Sequence, residues 1–197
     1  MRMLKHILSF LLFTFIVFSV KADNIKIACV GNSITEGFGL ENPSQESYPA
    51  VLQSLLGDDY EVGNFGLSAR TLLMKGDLPY MKEQRFKDAL EFLPDIVTIK
   101  LGTNDSKPHN WLHKDDFKHD LNTLLDSFSA LSSSPKIYLC LPIPSENNIW
   151  GINDSIIHNC IIPIIKEVAV ERNISMIDLN TAMKPYYPNE YQDGVHP

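Results

Sequence analysis

Apolar residues in this chain fall into short unbroken runs, separated by stretches in which they recur every three or four positions. The unbroken runs cover residues 25–30, a briefer one around 60–62, then 94–101, 136–141 and 174–179. Runs of this length, rich in β-branched residues and bounded by glycine or polar turns, predict strands buried on both faces. Between them the period changes. Ser47 is placed to cap a helix carrying Tyr48, Leu52, Leu55 and Leu56 on one face, stopped by Gly57. Phe117, Leu121, Leu124, Leu125 and Phe128 mark an amphipathic helix. Ile156, Ile157, Cys160, Ile161, Ile164, Ile165 and Val168 form a broader stripe, and Pro163 within it predicts a kink or a restart. A shorter helix with weaker periodicity is expected between Leu78 and Leu93. Strand–helix alternation of this kind predicts the α/β class: a three-layer α/β/α sandwich around a five-stranded parallel sheet, joined by right-handed crossovers. Neither a repeat nor an interdomain linker interrupts it, so residues 23–197 are expected to form one domain.

The first residues follow another pattern. Arg2 and Lys5 precede the apolar run 7–20, and Val20-Lys21-Ala22 then offers modest side chains for cleavage. This predicts a signal peptide over residues 1–22 and a secreted or periplasmic protein. A membrane span needs roughly 20 apolar residues, so no stable membrane anchor is expected; an uncleaved anchor is the competing reading. The formal charge of −7 excludes a nucleic-acid partner, which would need a basic face. Three cysteines, Cys29, Cys140 and Cys160, cannot all pair within one chain, and their apolar settings suit buried free thiols. No Cys/His cluster has metal-ligand spacing, so neither a metal nor another cofactor is expected.

Candidate chemistry sits where strands are expected to end. Gly31-Asn32-Ser33-Ile34-Thr35-Glu36-Gly37 follows the first, Gly63-Asn64-Phe65-Gly66 the second, and Gly102-Thr103-Asn104-Asp105 the third. Asp193-Gly194-Val195-His196 lies beyond the fifth. A parallel sheet gathers such stretches at its carboxyl edge. A serine there becomes a nucleophile only with a base to take its proton and donors to meet the oxyanion. His196 is the candidate base and Asp193 the carboxylate that orients it. Backbone N–H groups of Ser33 and Gly66 and the Asn104 amide are the candidate oxyanion donors. Each piece alone has an ordinary use in a turn; together, in this order, they point to acyl transfer. Ser68 is a rival hydroxyl with no base-bearing motif matched to it.

The four stretches resemble the SGNH/GDSL hydrolases, a family of esterases and lipases, over essentially all of residues 25–197. The resemblance implies a flavodoxin-like fold, Ser33 as nucleophile, Gly66 and Asn104 as oxyanion donors, and Asp193 and His196 completing a triad. Asn32 stands where many members have aspartate, which is similar to a branch acting on sugar esters. Members carry a further helix after the histidine motif, so a C-terminal helix is expected to be missing here. The implied activity is that of a secreted serine esterase removing short O-acyl groups, O-acetyl above all, from a small-molecule or glycan ester. A lysophospholipase or thioesterase, and a catalytically dead carbohydrate-binding protein, are the alternatives. A flavodoxin-like cofactor binder would need a Gly-rich phosphate loop after the first strand, and none is present. Trp111 and Trp150 are the candidate sugar platforms. No long apolar loop near the motifs offers shelter to a fatty acyl chain.

Overall fold

In the computed structural model, residues 24–197 are described apart from Asn147, Pro188 and Gln192, so the expected leader lies outside the described residues. Five strands form: β1 (Ile25–Gly31), β2 (Tyr60–Gly66), β3 (Ile96–Lys100), β4 (Lys136–Cys140) and β5 (Ser175–Ile177). They make one all-parallel sheet in the order β2-β1-β3-β4-β5. The order reverses at β1, so the crevice beyond its carboxyl end is the natural ligand site of this topology. Gly31 stands level with Gly66 on one side and Lys100 on the other, which places the three following loops at a common height.

The chain leaves β1 into α1 (Ser33–Glu36), α2 (Pro43–Glu46) and α3 (Tyr48–Leu56). After β2 comes α4 (Gln84–Glu91), after β3 α5 (Pro108–Trp111) and α6 (Phe117–Ser129). After β4 come α7 (Asp154–Ile156) and α8 (Ile162–Glu171), and after β5 α9 (Leu179–Met183). Right-handed crossovers put α4, α6 and α8 on one face and α3 on the other. The first face holds the core: Val30, Val97, Ile99, Leu139 and the buried side chains of α4, α6 and α8 form one cluster, with Phe86 edge-on to Phe128. On the other face lie Cys29, Lys100 and Cys140, buried, the two cysteines being free thiols. Burial brings the Lys100 ammonium down to about 8.

Two element boundaries and one buried face differ from expectation. Strand β2 does not stop near Val62 but pairs with β1 through Gly66; ladder hydrogen bonds override the turn tendency of two glycines and an asparagine. The helix expected between Leu78 and Leu93 resolves into a single 3₁₀ turn, Tyr80–Lys82, and then α4. The α3 stripe is only partly covered: Gln53 clips the helix to β2 through Val62 N–H and Tyr60 C=O, while Leu55 remains 79% exposed. Pro163 marks a restart, as its sequence position suggests. It occupies the first turn of α8, where a missing N–H costs nothing, directly after a π-helical turn at Ile157–Ile161.

Candidate active site

Ser33 is the first residue of α1, immediately beyond β1, and is nearly buried. The turn that presents it is tight. A Cβ on Gly31 would sit 2.1 Å from Thr35 Oγ1 and 2.9 Å from the Lys100 carbonyl, so only glycine lets α1 fold back so closely. Across the crevice, His196 Nε2 lies 2.8 Å from Ser33 Oγ, and Nδ1 lies 2.7 Å from Asp193 Oδ2. With the proton on Nδ1, the ring donates to the carboxylate and accepts from the serine hydroxyl, the arrangement a general base needs.

Asp193 is held from all sides. Its Oδ1 accepts from the N–H groups of Val195 (3.0 Å) and His196 (2.8 Å), and its Oδ2 also accepts from Trp150 Nε1 at 3.0 Å. Burial alone would raise its pKa, but the hydrogen bonds from the His196 ring, these two N–H groups and the indole outweigh it and bring the carboxyl down to about 2. It therefore stays charged beside the imidazole. The turn is braced further through Gly194 C=O, which accepts from Ser145 Oγ and Glu146 N–H, both at 3.0 Å.

Opposite this turn, the loop after β2 and the loop after β3 interlock. Asn104 donates from Nδ2 to Arg70 C=O at 3.1 Å, and its own C=O accepts from Asn110 Nδ2 at 2.9 Å. Asp105 is fully buried, and its two oxygens accept from Leu73 N–H (2.7 Å) and Leu72 N–H (3.1 Å). Burial pushes its carboxyl up to about 6 despite those two donors. A cavity of about 110 Å³ lies between the two sides, lined by Ser33, Asn104 and His196 together with Phe38, Ser68, Ala69, Lys107, Trp150 and Ile152.

Four sequence-predicted residues, Ser33, Asn104, Asp193 and His196, thus converge. Gly66 does not join them, and its expected oxyanion role is corrected. Its N–H already donates to Asn64 Oδ1 at 2.9 Å, and it does not line the cavity. Glycine is required there for another reason: a Cβ would lie 2.1 Å from the Glu36 nitrogen, so Gly66 lets β2 pass against α1. The residue of this loop that lines the cavity and whose N–H has no protein acceptor among the described residues is Ala69, which sequence reasoning missed. It takes φ = 65°, rare for a residue with a Cβ. Ser68 is also accounted for: its hydroxyl and N–H both donate to Glu36.

Only one of the two tryptophans stands at the cavity. Trp111 packs edge-on against Phe117 beside the core and does not line the cavity, so it is corrected from substrate contact to packing. Trp150 does line the cavity, but its N–H is engaged with Asp193. Among the described residues no group of three His, Cys, Asp or Glu side chains is placed to hold a metal ion. No helix among them is long and apolar enough to cross a membrane.

A serine, an imidazole and a carboxylate chained by hydrogen bonds at the carboxyl edge of a parallel sheet have the geometry of a serine-hydrolase site. The profile of the GDSL-like lipase/acylhydrolase family matches residues 29–197, and the chain belongs to that family. It is 46% identical over 194 residues to an acetylxylan esterase of Xylanibacter ruminicola, a match covering 90% of this chain and 40% of that protein. The chain thus spans less than half the length of that curated relative. Two solved structures share the fold. A putative arylesterase from Agrobacterium tumefaciens superposes with a TM-score of 0.67 at 23% identity, over 87% of this chain and 89% of the other. A carbohydrate acetylesterase from Sinorhizobium meliloti superposes with a TM-score of 0.66 at 20% identity, over 78% and 83%.

Proposed function

We propose that this protein is an exported serine esterase that removes O-acetyl groups from carbohydrate, with Ser33 as nucleophile, His196 as base and Asp193 as its orienting carboxylate. The observation that carries this reading is the unbroken chain Ser33 Oγ–His196–Asp193, at 2.8 and 2.7 Å. Ser33 Oγ attacks the ester carbonyl while its proton passes to His196 Nε2. The tetrahedral oxyanion is met by the N–H groups of Ser33 and Ala69 and by the Asn104 amide. Collapse breaks the bond to the sugar oxygen, which takes the proton from His196 and leaves as the free hydroxyl, with acetyl-Ser33 behind. Water, deprotonated by the same imidazole, then releases acetate and restores the serine. The similarity to an acetylxylan esterase supports a glycan substrate, and the basic start and apolar run of residues 7–20 support export.

The cavity supports a short acyl group. It measures about 110 Å³, and Phe38 and Ile152 help to close it. One observation favours a second reading, a long-chain acylhydrolase. On the far side of Phe38 an apolar groove of about 450 Å³, lined by Leu40, Tyr48, Val51, Leu52 and Leu55, also reaches His196. Hydrolysis of 4-nitrophenyl esters from acetate to octanoate separates the two. We expect kcat/KM to fall steeply beyond acetate, and acetate to be released from acetylated xylan. Ser33→Ala should lower kcat by roughly 10³-fold or more, and a fluorophosphonate should label Ser33. Labelling at Ser68 instead would overturn the nucleophile, and octanoate turned over as fast as acetate would promote the long-chain reading.

A further inference from the structure

Trp150 stands 46 residues from His196 in sequence, on the loop between β4 and α7, yet meets the acid–base turn at its centre. Its indole N–H lies 3.0 Å from Asp193 Oδ2, the same oxygen that accepts the imidazole Nδ1–H. Its ring is edge-on to His196 at 6.3 Å, while Phe38 flanks the imidazole at 4.9 Å and meets Trp150 at 5.8 Å and 90°. The loop is built to hold this pose: Asn148 Oδ1 accepts from the N–H groups of Trp150 (3.1 Å) and Ile152 (3.0 Å). Side chains that fix and orient such a carboxylate govern how its partner works.

We infer that Trp150 is a positioning residue of the acid–base pair, locking the Asp193 carboxylate with its indole N–H and moderating how strongly that carboxylate holds the proton of His196. The inference rests on the serine-esterase reading. The mechanism is a competition for one oxygen. A donor that already occupies Oδ2 withdraws part of its charge from the imidazolium, so His196 gives up its proton more readily to the leaving alcohol. The same donor prevents the carboxylate from swinging out of the imidazole plane. Other charged groups around His196 are Lys107 in the cavity and Glu46 in the neighbouring groove; a change at Trp150 leaves both in place.

The test uses Trp150→Phe, which keeps an aromatic ring and removes the N–H, and the isosteric analogue 3-benzothienylalanine at position 150, which removes the N–H with the shape retained. For both we expect kcat/KM on 4-nitrophenyl acetate to fall about tenfold, mainly in kcat, the order of effect of losing one hydrogen bond to a charged group. The acid limb of kcat/KM should move to higher pH, because the unshared carboxylate stabilises the imidazolium more. In proton NMR, the low-field Nδ1 proton of His196 should move further downfield, a readout that needs no turnover. Wild-type kcat, limb and Nδ1 proton in the benzothienyl protein would overturn the inference. So would a loss confined to KM for acetylated oligosaccharide, which would make the indole a sugar platform. A wild-type protein inert on every ester would instead sink the esterase reading, leaving the Nδ1 proton to decide for or against Trp150.

Discussion

The two sides of the site are held in different ways. On the oxyanion side, buried side chains reach across the fold to loop backbone: Asp105 takes the N–H groups of Leu72 and Leu73, and Asp120, from α6, takes that of Met74 at 2.8 Å. Asn110 receives Asp77 N–H and returns two bonds, to Asp77 and to Asn104 C=O. On the acid–base side, the turn 193–196 is largely its own scaffold, braced by Gly194 C=O and by an indole that is 42% exposed. The difference follows from the chemistry. An oxyanion is stabilised by dipoles that do not reorganise, which asks for anchorage in the core. A general base needs only a correct ring and tautomer, which four consecutive residues can supply.

Removing one anchor from each side should separate stability from activity most sharply. Asp105→Ala strips the acceptor from two buried N–H groups, each costing about 1–3 kcal/mol when unpaired. We expect a loss of about 3 kcal/mol and a fall in Tm of roughly 6–12 °C for a domain of this size, together with lower kcat as the Ala69 loop drifts. Asp193→Ala should abolish most turnover while Tm falls far less. Thermal unfolding followed by circular dichroism, with initial rates alongside, checks both. An Asp105→Ala protein melting with wild type would mean that the loop is held by something else.

Acid should act on the two carboxylates with opposite sign. Asp105 is raised to about 6, so its contribution to stability is fully present below the ordinary aspartate value and is lost as pH rises through about 6. Asp193 is lowered to about 2, so its contribution is present above the ordinary value and lost as pH falls toward about 2. The first gap corresponds to about 3 kcal/mol. The second, for a side chain still 27% exposed, is on the order of 1–2 kcal/mol after screening. Urea unfolding from pH 7 to pH 2.5 should show Asp105→Asn lacking the stabilisation that wild type gains on going from pH 7 to pH 4. Asp193→Asn should lack the loss below pH 4. Parallel profiles for all three proteins would remove the contrast.

Much of this is legible in the sequence, and the failures have physical causes. The five strands and their parallel packing follow from apolar runs, which are mostly buried in β1, β3 and β4; β5, expected to be buried on both faces, is instead exposed at all three of its residues. The positions of Ser33, Asn104, Asp193 and His196 follow from loops that such a sheet brings to one edge. Gly66 misleads because its neighbours look like a turn, whereas pairing with β1 carries the strand on to Gly66 and moves the loop's first free N–H to Ala69. The signal for Ala69 lies in backbone conformation, which an alanine codes for poorly. Trp111 and Trp150 look alike as exposed aromatic platforms, and only tertiary packing separates a core-side indole from one bonded to Asp193. The α3 stripe predicts a buried face that is only half covered, since periodicity tells which residues could be buried and not what covers them.

The smallest contrast compares two single hydroxyls. Ser145 Oγ donates to Gly194 C=O at 3.0 Å and accepts from Asn148 Nδ2 at 3.3 Å, so it belongs to the acid–base side. Ser106 Oγ donates to Thr103 C=O at 2.7 Å and accepts from Asn153 N–H at 3.0 Å, so it ties the oxyanion loop to the start of α7. In Ser145→Ala the Gly194 carbonyl keeps its bond from Glu146 N–H, leaving no buried acceptor unpaired. Its stability should change by less than about 1 kcal/mol, while kcat/KM drops about two- to fivefold as the turn loosens. In Ser106→Ala the Asn153 N–H loses its acceptor, with a cost of about 1–2 kcal/mol and a smaller effect on turnover. Melting curves and acetate-ester kinetics on the two variants decide it. If Ser145→Ala proved the less stable and Ser106→Ala the slower, the division into a core-anchored oxyanion side and a self-scaffolded acid–base side would be wrong.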